Sequence, residues 1–356
     1  MKIGIDISQV PYGTGVSVYT KELVRSLLEV DKENEYLLFG GYLRRRKDLA
    51  GFASSLSGRF NARFFPFPPT LADILWNRLH LLKIERFMGK VDVYHSSDWA
   101  QAPSDAFKVT TIHDLAPIKF PKLTPKRIIS AHYARLKWVV NEVDRVIVPS
   151  QATKNDLLEL GINEKKIRVI YEAASKVFRW QGEGKVKEMK TRYKLRDYII
   201  SMGVGGRKNT DRLIEAFEHA KAGKDLTLVL VGAGEVKERR GVRHLGRVDD
   251  SERPVLLSGA KAFVFPSLYE GFGLPILEAF GCGTPVVTSN LSSMPEIAGG
   301  AAILVDPYSV PSIAEGIKKA ISGPKALVKK GLERIEDFSW EKAAVATINV
   351  YKEASK

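Results

Sequence analysis

The 356-residue sequence has one cysteine, Cys282, so neither an internal disulfide nor a cysteine-built zinc cluster is available to it. No apolar run reaches the roughly 18–20 residues that a membrane-spanning helix needs. The opening Met1-Lys2-Ile3-Gly4-Ile5-Asp6 reads as a first β-strand rather than a signal peptide. Repeats of solenoid period are absent. So are a G-x-S-x-G elbow and an H-E-x-x-H pair, and the six histidines are scattered singly, so no metal site is expected. Acidic residues are short: 41 Asp and Glu face 55 Lys and Arg, a formal net charge of +14. Cutting at residue 172 leaves 26 basic and 19 acidic residues before the cut and 29 and 22 after it, +7 on each side. A nucleic-acid-binding module would concentrate that charge, so nucleic acid is not the expected partner. An anionic small substrate or an anionic lipid surface fits an even excess better.

What is present is an ordinary globular composition, 44% hydrophobic and 27% charged, with 29 Gly and 17 Pro. The length suits two domains. Short apolar strands alternate with amphipathic helices. Strands are predicted at 3–7, 36–39, 62–65, 91–94, 109–112, 145–148 and 167–170, then at 198–202, 226–231, 242–245, 262–265, 285–288 and 302–305. Val16, Tyr19, Leu23 and Leu27 form an apolar stripe at helical spacing, and Ile128, Tyr133, Leu136 and Val140 approximate another. Further helices are expected over Asn209–Ala222, Pro254–Ser258, Pro275–Cys282, Val310–Ser322 and Pro324–Ile335. This alternation implies parallel sheets covered on both faces. The polar stretch Trp180-Gln181-Gly182-Glu183-Gly184-Lys185 places a boundary near 172–196. The expected domains are 1–172 and 173–338, with a last helix in 339–356 crossing back to the first. Ligands of such sheets bind outside the carboxyl ends of the strands, so a cleft between two domains is the default site.

Four motifs stand at such strand ends. Gly13-Thr14-Gly15 precedes the Val16 helix and suits the close approach of an anion, although an ordinary βα turn reads the same way. His113-Asp114 ends an apolar strand, where a histidine serves either a turn or a substrate. Gly203-Val204-Gly205-Gly206-Arg207-Lys208-Asn209 sets two cations at the mouth of a helix, where they oppose the macrodipole unless an anion offsets them. A diphosphate is the natural partner. Glu270-Gly271-Phe272-Gly273-Leu274-Pro275-Ile276-Leu277-Glu278 puts one carboxylate in a loop and another about a turn into a helix that Pro275 can start. The two would grip separate sets of hydroxyls, a sugar's and a ribose's. Cys282 reads as a small buried hydrophobe, and Glu296 as a group that orients a cation of the phosphate site. Residues 59–90 mix aromatics with Arg59, Arg63, Arg78, Lys83, Arg86 and Lys90, and Leu75, Leu79, Leu82 and Phe87 roughly keep helical spacing. A basic amphipathic helix of this kind lies on an anionic membrane or packs on its own sheet, and both readings stay open.

Taken together, these motifs resemble the retaining glycosyltransferases of family 4, over essentially the whole chain. The stretch from Gly246-Arg247-Val248 through Phe265-Pro266-Ser267-Leu268-Tyr269-Glu270 to Glu278 and Asp306-Pro307 carries that family's E-x7-E signature as Glu270 and Glu278. The resemblance implies an α/β architecture, the GT-B fold, with two Rossmann-like parallel-sheet domains facing an interdomain cleft. It implies transfer of a hexose, mannose among the candidates, from a GDP- or UDP-sugar to a glycan or polyprenyl-linked glycan acceptor. No tightly bound cofactor or metal is implied. The implied location is the cytoplasm, with peripheral contact at the inner face of the cell membrane. Arg207 and Lys208 resemble the pair that neutralises the donor diphosphate. Glu278 resembles the ribose-binding carboxylate, Glu270 the carboxylate near the donor sugar, and His113 the residue near the transferred sugar. Gly271, Phe272, Gly273 and Leu274 would supply backbone groups to sugar and phosphate. Gly13 and Gly15 would form the first-domain loop over the donor phosphates, and Gly232 and Gly234 would border the nucleobase.

Two segments depart from the family pattern. Gly205-Gly206 stands where relatives often carry Glu-Pro, and Tyr171-Glu172-Ala173-Ala174-Ser175 where many have Asn-Gly-Val-Asp. Other readings of the same fold are a sucrose- or trehalose-type synthase, a nucleotide-sugar epimerase and a non-catalytic partner subunit. Retention of all four charged residues speaks against the last.

Overall fold

The computed structural model describes residues 1–220, 225–237 and 239–355. It divides into two compact units, residues 1–172 with 340–356, and residues 173–339.

Unit 1 carries seven described strands: β1 (Lys2–Asp6), β2 (Glu35–Gly41), β3 (Phe60–Phe65), β4 (Val93–Ser96), β5 (Phe107–Thr111), β6 (Arg145–Val148) and β7 (Ile167–Val169). They form one sheet in the order β3-β2-β1-β4-β5-β6-β7, every pair parallel. Unit 2 carries β8 (Asp197–Met202), β9 (Leu226–Val231), β10 (Val242–His244), β11 (Ala262–Phe265), β12 (Val286–Ser289) and β13 (Ile303–Val305), again all parallel, in the order β10-β9-β8-β11-β12-β13. The central strands are buried on both faces, as the runs at 146–148 and 262–265 require. Strand order reverses beside β1 in one sheet and beside β8 in the other. Those are the switch points where loops from neighbouring strands part and leave a crevice.

Most helices lie within a residue or two of their expected bounds: Arg253–Ser258, Leu274–Gly281, Val310–Ile321 and Lys325–Arg334. The helix expected over Asn209–Ala222 runs over Thr210–Ala220, and the last two of its expected residues lie outside the described ones. Asn209 itself is not helical. Its φ of 62° stops the turn, and its side chain donates to the carbonyls of Pro266 (3.1 Å) and Pro307 (2.6 Å).

Two apolar patterns mislead. A helix spans Lys126–Glu142, but Ile128, Tyr133 and Val140 are exposed on it, and Leu136 is the stripe's only core residue. Arg135, 0% exposed, takes the inward face instead, because Asp98 and Thr110 supply partners for its guanidinium. No continuous helix joins Leu75 to Phe87. A helical turn at Pro69–Ala72 runs into a π-helical turn at Asp73–Arg78, and helix resumes only at Glu85–Met88. His80 (φ 52°) and Leu82 (φ 64°) are left-handed and cannot continue a right-handed helix. The bend is bought by burial of Trp76, Ile84 and Met88, whose spacing differs from that of the four residues read as the stripe.

The helix Trp340–Tyr351 belongs to unit 1 and packs along the helix Gly15–Val30. Beyond it, Glu353 meets Arg145 and Arg168.

Candidate active site

In unit 2 the loops after β8, β9, β11 and β12 meet at the carboxyl edge of the sheet. After β8, Gly203 turns at φ 90°, and a Cβ there would stand 2.8 Å from Lys208 Cε. Glycine thus gives the lysine stem its path. Lys208 lays its ammonium over the Phe265 ring (4.8 Å) and donates to Glu270 Oε1 at 2.6 Å. Arg207 donates to the other oxygen of the same carboxylate (3.1 Å) and to the Tyr269 carbonyl (2.5 Å). Glu270 is therefore held between two cations. Burial raises its pKa, but Lys208 and Arg207 outweigh burial and hold it below the ordinary carboxylate range.

The loop that carries Glu270 is pinned from behind. Ser293 Oγ lies 2.9 Å from the Glu270 carbonyl and 2.7 Å from that of Phe272, and Ser292 Oγ lies 2.7 Å from the Glu270 carbonyl. Phe272 stands edge-on to Phe338. Gly273, at φ 105°, then starts the helix Leu274–Gly281, with Pro275 in the first turn. The backbone next to Glu270 is thereby hydrogen-bonded at the carbonyls of Glu270 and Phe272. On that helix Glu278 is 5% exposed and pairs with Arg253, whose guanidinium lies over Phe178. Burial pushes the Glu278 pKa up, against the pull of Arg253. Gly232 (φ 137°) and Gly234 (φ 140°) follow β9 and pack on the turn at Gly203 and Val204, where a side chain on Gly234 would strike Val204 at 2.8 Å.

Of the residues singled out from sequence, the structure brings Arg207, Lys208 and Glu270 into one cluster. It keeps Glu278 in a separate pair with Arg253, a partner that no motif announced. Glu296 lends its backbone carbonyl to Arg334 (2.7 Å). Cys282 is buried, and burial pushes its thiol up to about 12.

In unit 1, Gly13 (φ 64°) turns the chain into the helix Gly15–Val30, and Thr14 caps it in a reciprocal pair with Ser17. A Cβ on Gly15 would meet open space, so packing does not demand glycine there. His113, after β5, lies 3.0 Å through Nδ1 from Glu172 Oε1. Beneath it a buried polar chain links Tyr19, Thr111, His95 and Tyr351. Glu172, Tyr19 and Tyr351 come from three distant parts of the sequence, so no single motif marks them. Among the described residues no group of three or more His, Cys, Asp or Glu is placed to hold a metal ion, and no helix is long and apolar enough to cross a membrane.

Comparison with known proteins adds to this geometry. The family model described as Glycosyltransferase Family 4 matches residues 13–174, and that described as Glycosyl transferases group 1 matches residues 185–334. The chain is 28% identical to the O-antigen chain mannosyltransferase B of Escherichia coli, over 95% of this chain and 96% of that protein. It is 29% identical to an uncharacterised glycosyltransferase of Methanocaldococcus jannaschii, over 95% and 94%. Among solved structures, a glycosyltransferase from Rickettsia africae superposes with a TM-score of 0.73 at 18% identity, covering 100% of this chain and 98% of that one.

Proposed function

Because the chain belongs to the group 1 and family 4 glycosyltransferases, with the GT-B fold, and so moves a sugar from a nucleoside diphosphate donor to an acceptor, we propose that it is a retaining hexosyltransferase with Arg207 and Lys208 on the donor diphosphate. The hexose we favour is mannose, on the strength of the full-length similarity to an enzyme named as a mannosyltransferase. The base is guanine or uracil, and the acceptor is a glycan, free or polyprenyl-linked.

The carrying observation is the Arg207–Glu270–Lys208 cluster at the sheet switch point. Two cations share one carboxylate, so the group has net charge +1 before any ligand arrives. Cleavage of the sugar–phosphate bond develops negative charge on the leaving diphosphate, which Arg207 and Lys208 would stabilise. Glu270 then serves the sugar hydroxyls, the backbone from Gly271 to Leu274 serves sugar and phosphate, and Glu278 takes the ribose. Gly232 and Gly234 border the base. In unit 1, His113 is assigned to the transferred sugar, and Gly13 and Gly15 to the donor phosphates. A carboxylate held by two cations is a poor nucleophile, which favours attack by the acceptor on the face the leaving group departs from, with a phosphate oxygen taking the acceptor's proton.

The test is a thermal-shift ranking of UDP, GDP and their sugars, followed by transfer assays with the product anomer read by NMR. The expected result is a ligand-dependent rise in Tm. Lys208→Ala should lose most of that rise and about a hundredfold in kcat/KM. Wild-type behaviour from Lys208→Ala would sink the assignment, and an inverted product would sink retention.

A peripheral membrane contact in the cytoplasm belongs to the same proposal, on a surface different from the single helix expected. Ile74, Leu79 and Leu81 are exposed beside Arg78, Lys83 and Arg86. The helix Lys126–Glu142 exposes Ile128, Tyr133 and Val140 beside Lys126, Arg127 and Lys137. Arg78 to Ser130 (3.1 Å), Trp138 to the Asn77 carbonyl (2.7 Å) and the His80–Trp138 stack join the two segments into one basic, apolar face. Co-sedimentation with vesicles rich in phosphatidylglycerol should exceed that with phosphatidylcholine vesicles and weaken with salt. Equal binding of Leu79→Glu/Ile128→Glu and wild type would refute the surface.

A further inference from the structure

Glu172 has no part in the family pattern, yet it is the carboxylate hydrogen-bonded to the His113 ring. It ends the first segment of unit 1, three residues beyond β7, and is 4% exposed. A carboxylate is buried at this cost only with a partner, and here that partner is His113 Nδ1 at 3.0 Å. The imidazole is held on another side by Tyr19, whose ring stands edge-on at 4.4 Å between centroids. Tyr19 Oη is fixed in turn by Thr111 Oγ1 (3.1 Å), which meets His95 Nε2 (2.9 Å), whose Nδ1 meets Tyr351 Oη (2.7 Å). Five buried side chains from five separate segments thus set one ring.

We propose that Glu172 is the positioning residue of His113: its carboxylate accepts the Nδ1 hydrogen, fixes rotamer and tautomer, and presents Nε2 to a substrate oxygen. The inference rests on the assignment of His113 to the sugar. A carboxylate accepts but does not donate, so Nδ1 carries a proton in both charge states and only Nε2 changes character. The titratable groups around the ring come from every side: Glu172 after β7, Asp98 after β4, the adjacent Asp114, and Arg135 and the neutral His95 behind them. Burial lowers the His113 pKa, but Glu172 by hydrogen bond and charge, then Asp98 and Asp114, outweigh burial and raise it. Arg135 already engages Asp98 at 3.3 Å, which leaves Glu172 as the principal anion for this ring. When the ring is charged Nε2 is an N–H donor to a substrate oxygen, and when it is neutral Nε2 is an acceptor.

The experiment is long-range 1H–15N correlation on the full chain labelled at its six histidines, with His113 identified by loss of its signals in His113→Asn. In wild type the neutral ring should be the Nδ1-protonated tautomer, with a midpoint above the ordinary value of about 6.5. Glu172→Gln keeps an acceptor but removes the charge, so the midpoint should fall by about one unit or more while the tautomer holds. Glu172→Ala should lower the midpoint and mix the tautomers. In parallel, kcat should fall in the order wild type, Gln, Ala, and the alkaline limb of kcat/KM should move to lower pH with the NMR midpoint. A midpoint and tautomer unmoved in Glu172→Ala overturn the role of Glu172, even where His113→Asn is inactive. A fully active His113→Asn overturns the sugar-side assignment of His113 and the positioning role with it. Should the Glu172 variants not fold, wild type alone decides, because an Nε2-protonated neutral ring overturns the proposal.

Discussion

Glu270 sits between two cations, and the balance among the three charges sets how the site treats an anion. Glu270 competes with any incoming phosphate for Arg207 and Lys208. Glu270→Gln removes that competition while leaving a side chain of similar shape. Free nucleoside diphosphate should then bind several-fold more tightly, measured calorimetrically, while sugar transfer should fall because the proposed anionic acceptor of the sugar's hydroxyls is gone. Weaker diphosphate binding in Glu270→Gln would mean that the carboxylate's main work is to position the two cations. Sequence alone carried the identities of these three residues, because adjacent cations at a helix mouth and a carboxylate in a glycine-rich turn are both costly without a ligand. It did not carry their contact. Arg207 and Glu270 stand 63 residues apart and meet only because β8 and β11 are neighbours. Arg253 and Glu172 were illegible for a related reason, since each gains meaning only from a carboxylate or imidazole that the fold delivers to it.

At the scale of elements, strands were the most legible part of the molecule. A strand covered on both faces needs a short continuous apolar run; all thirteen described strands overlap predicted ones, although the edge strands β3 and β10 are interrupted by Arg63 and by Arg243 and His244. Helix faces were less legible. Amphipathic spacing assumes that exposed apolar residues are few, and the helix Lys126–Glu142 breaks that assumption by burying Arg135 and exposing Ile128, Tyr133 and Val140. The segment 69–88 fails differently. Its aromatic anchors reach one core through a π-helical turn and two left-handed residues, which no 3.6-residue period describes. The same irregularity matters physically: it turns Leu79 and Leu81 outward beside Arg78 and Lys83, where a regular helix would have shared them with the core. The site loops show the reverse economy. Ser292 and Ser293 after β12 hold carbonyls of the loop after β11, so two adjacent strand ends stiffen each other before any substrate arrives.

At the scale of the whole molecule, unit 1 takes in the helix Trp340–Tyr351 from beyond unit 2 in the sequence. Trp340, Ala344, Thr347 and Tyr351 are buried in it, and Tyr351 is the hydroxyl that engages His95. This arrangement ties the stability of unit 1 to pH. Burial first, then the charges of His113 and Arg135, lower the His95 pKa to about 3, and burial with Arg135 lowers that of His132 to about 4. An unfolded histidine titrates near 6.5, so between those values the unfolded chain binds protons that the native state refuses, and stability falls as pH falls. From pH 7 to pH 5 the loss is about 2 kcal/mol for each of the two rings. His113 has the opposite sign: its raised value adds stability that is complete below about 6.5 and disappears as pH rises through the folded value. Asp6 and Asp98, pushed up by burial, also bind protons more readily when folded and so offset part of the acid loss. The histidine contribution is therefore isolated by difference. Urea midpoints at pH 7 and pH 5 should diverge strongly in wild type and much less in His95→Gln/His132→Gln, even though the variant begins less stable because it lacks the Tyr351 and Thr111 partners in their native geometry. An acid-induced loss as large in the variant as in wild type would place the pH sensitivity in the carboxylates instead.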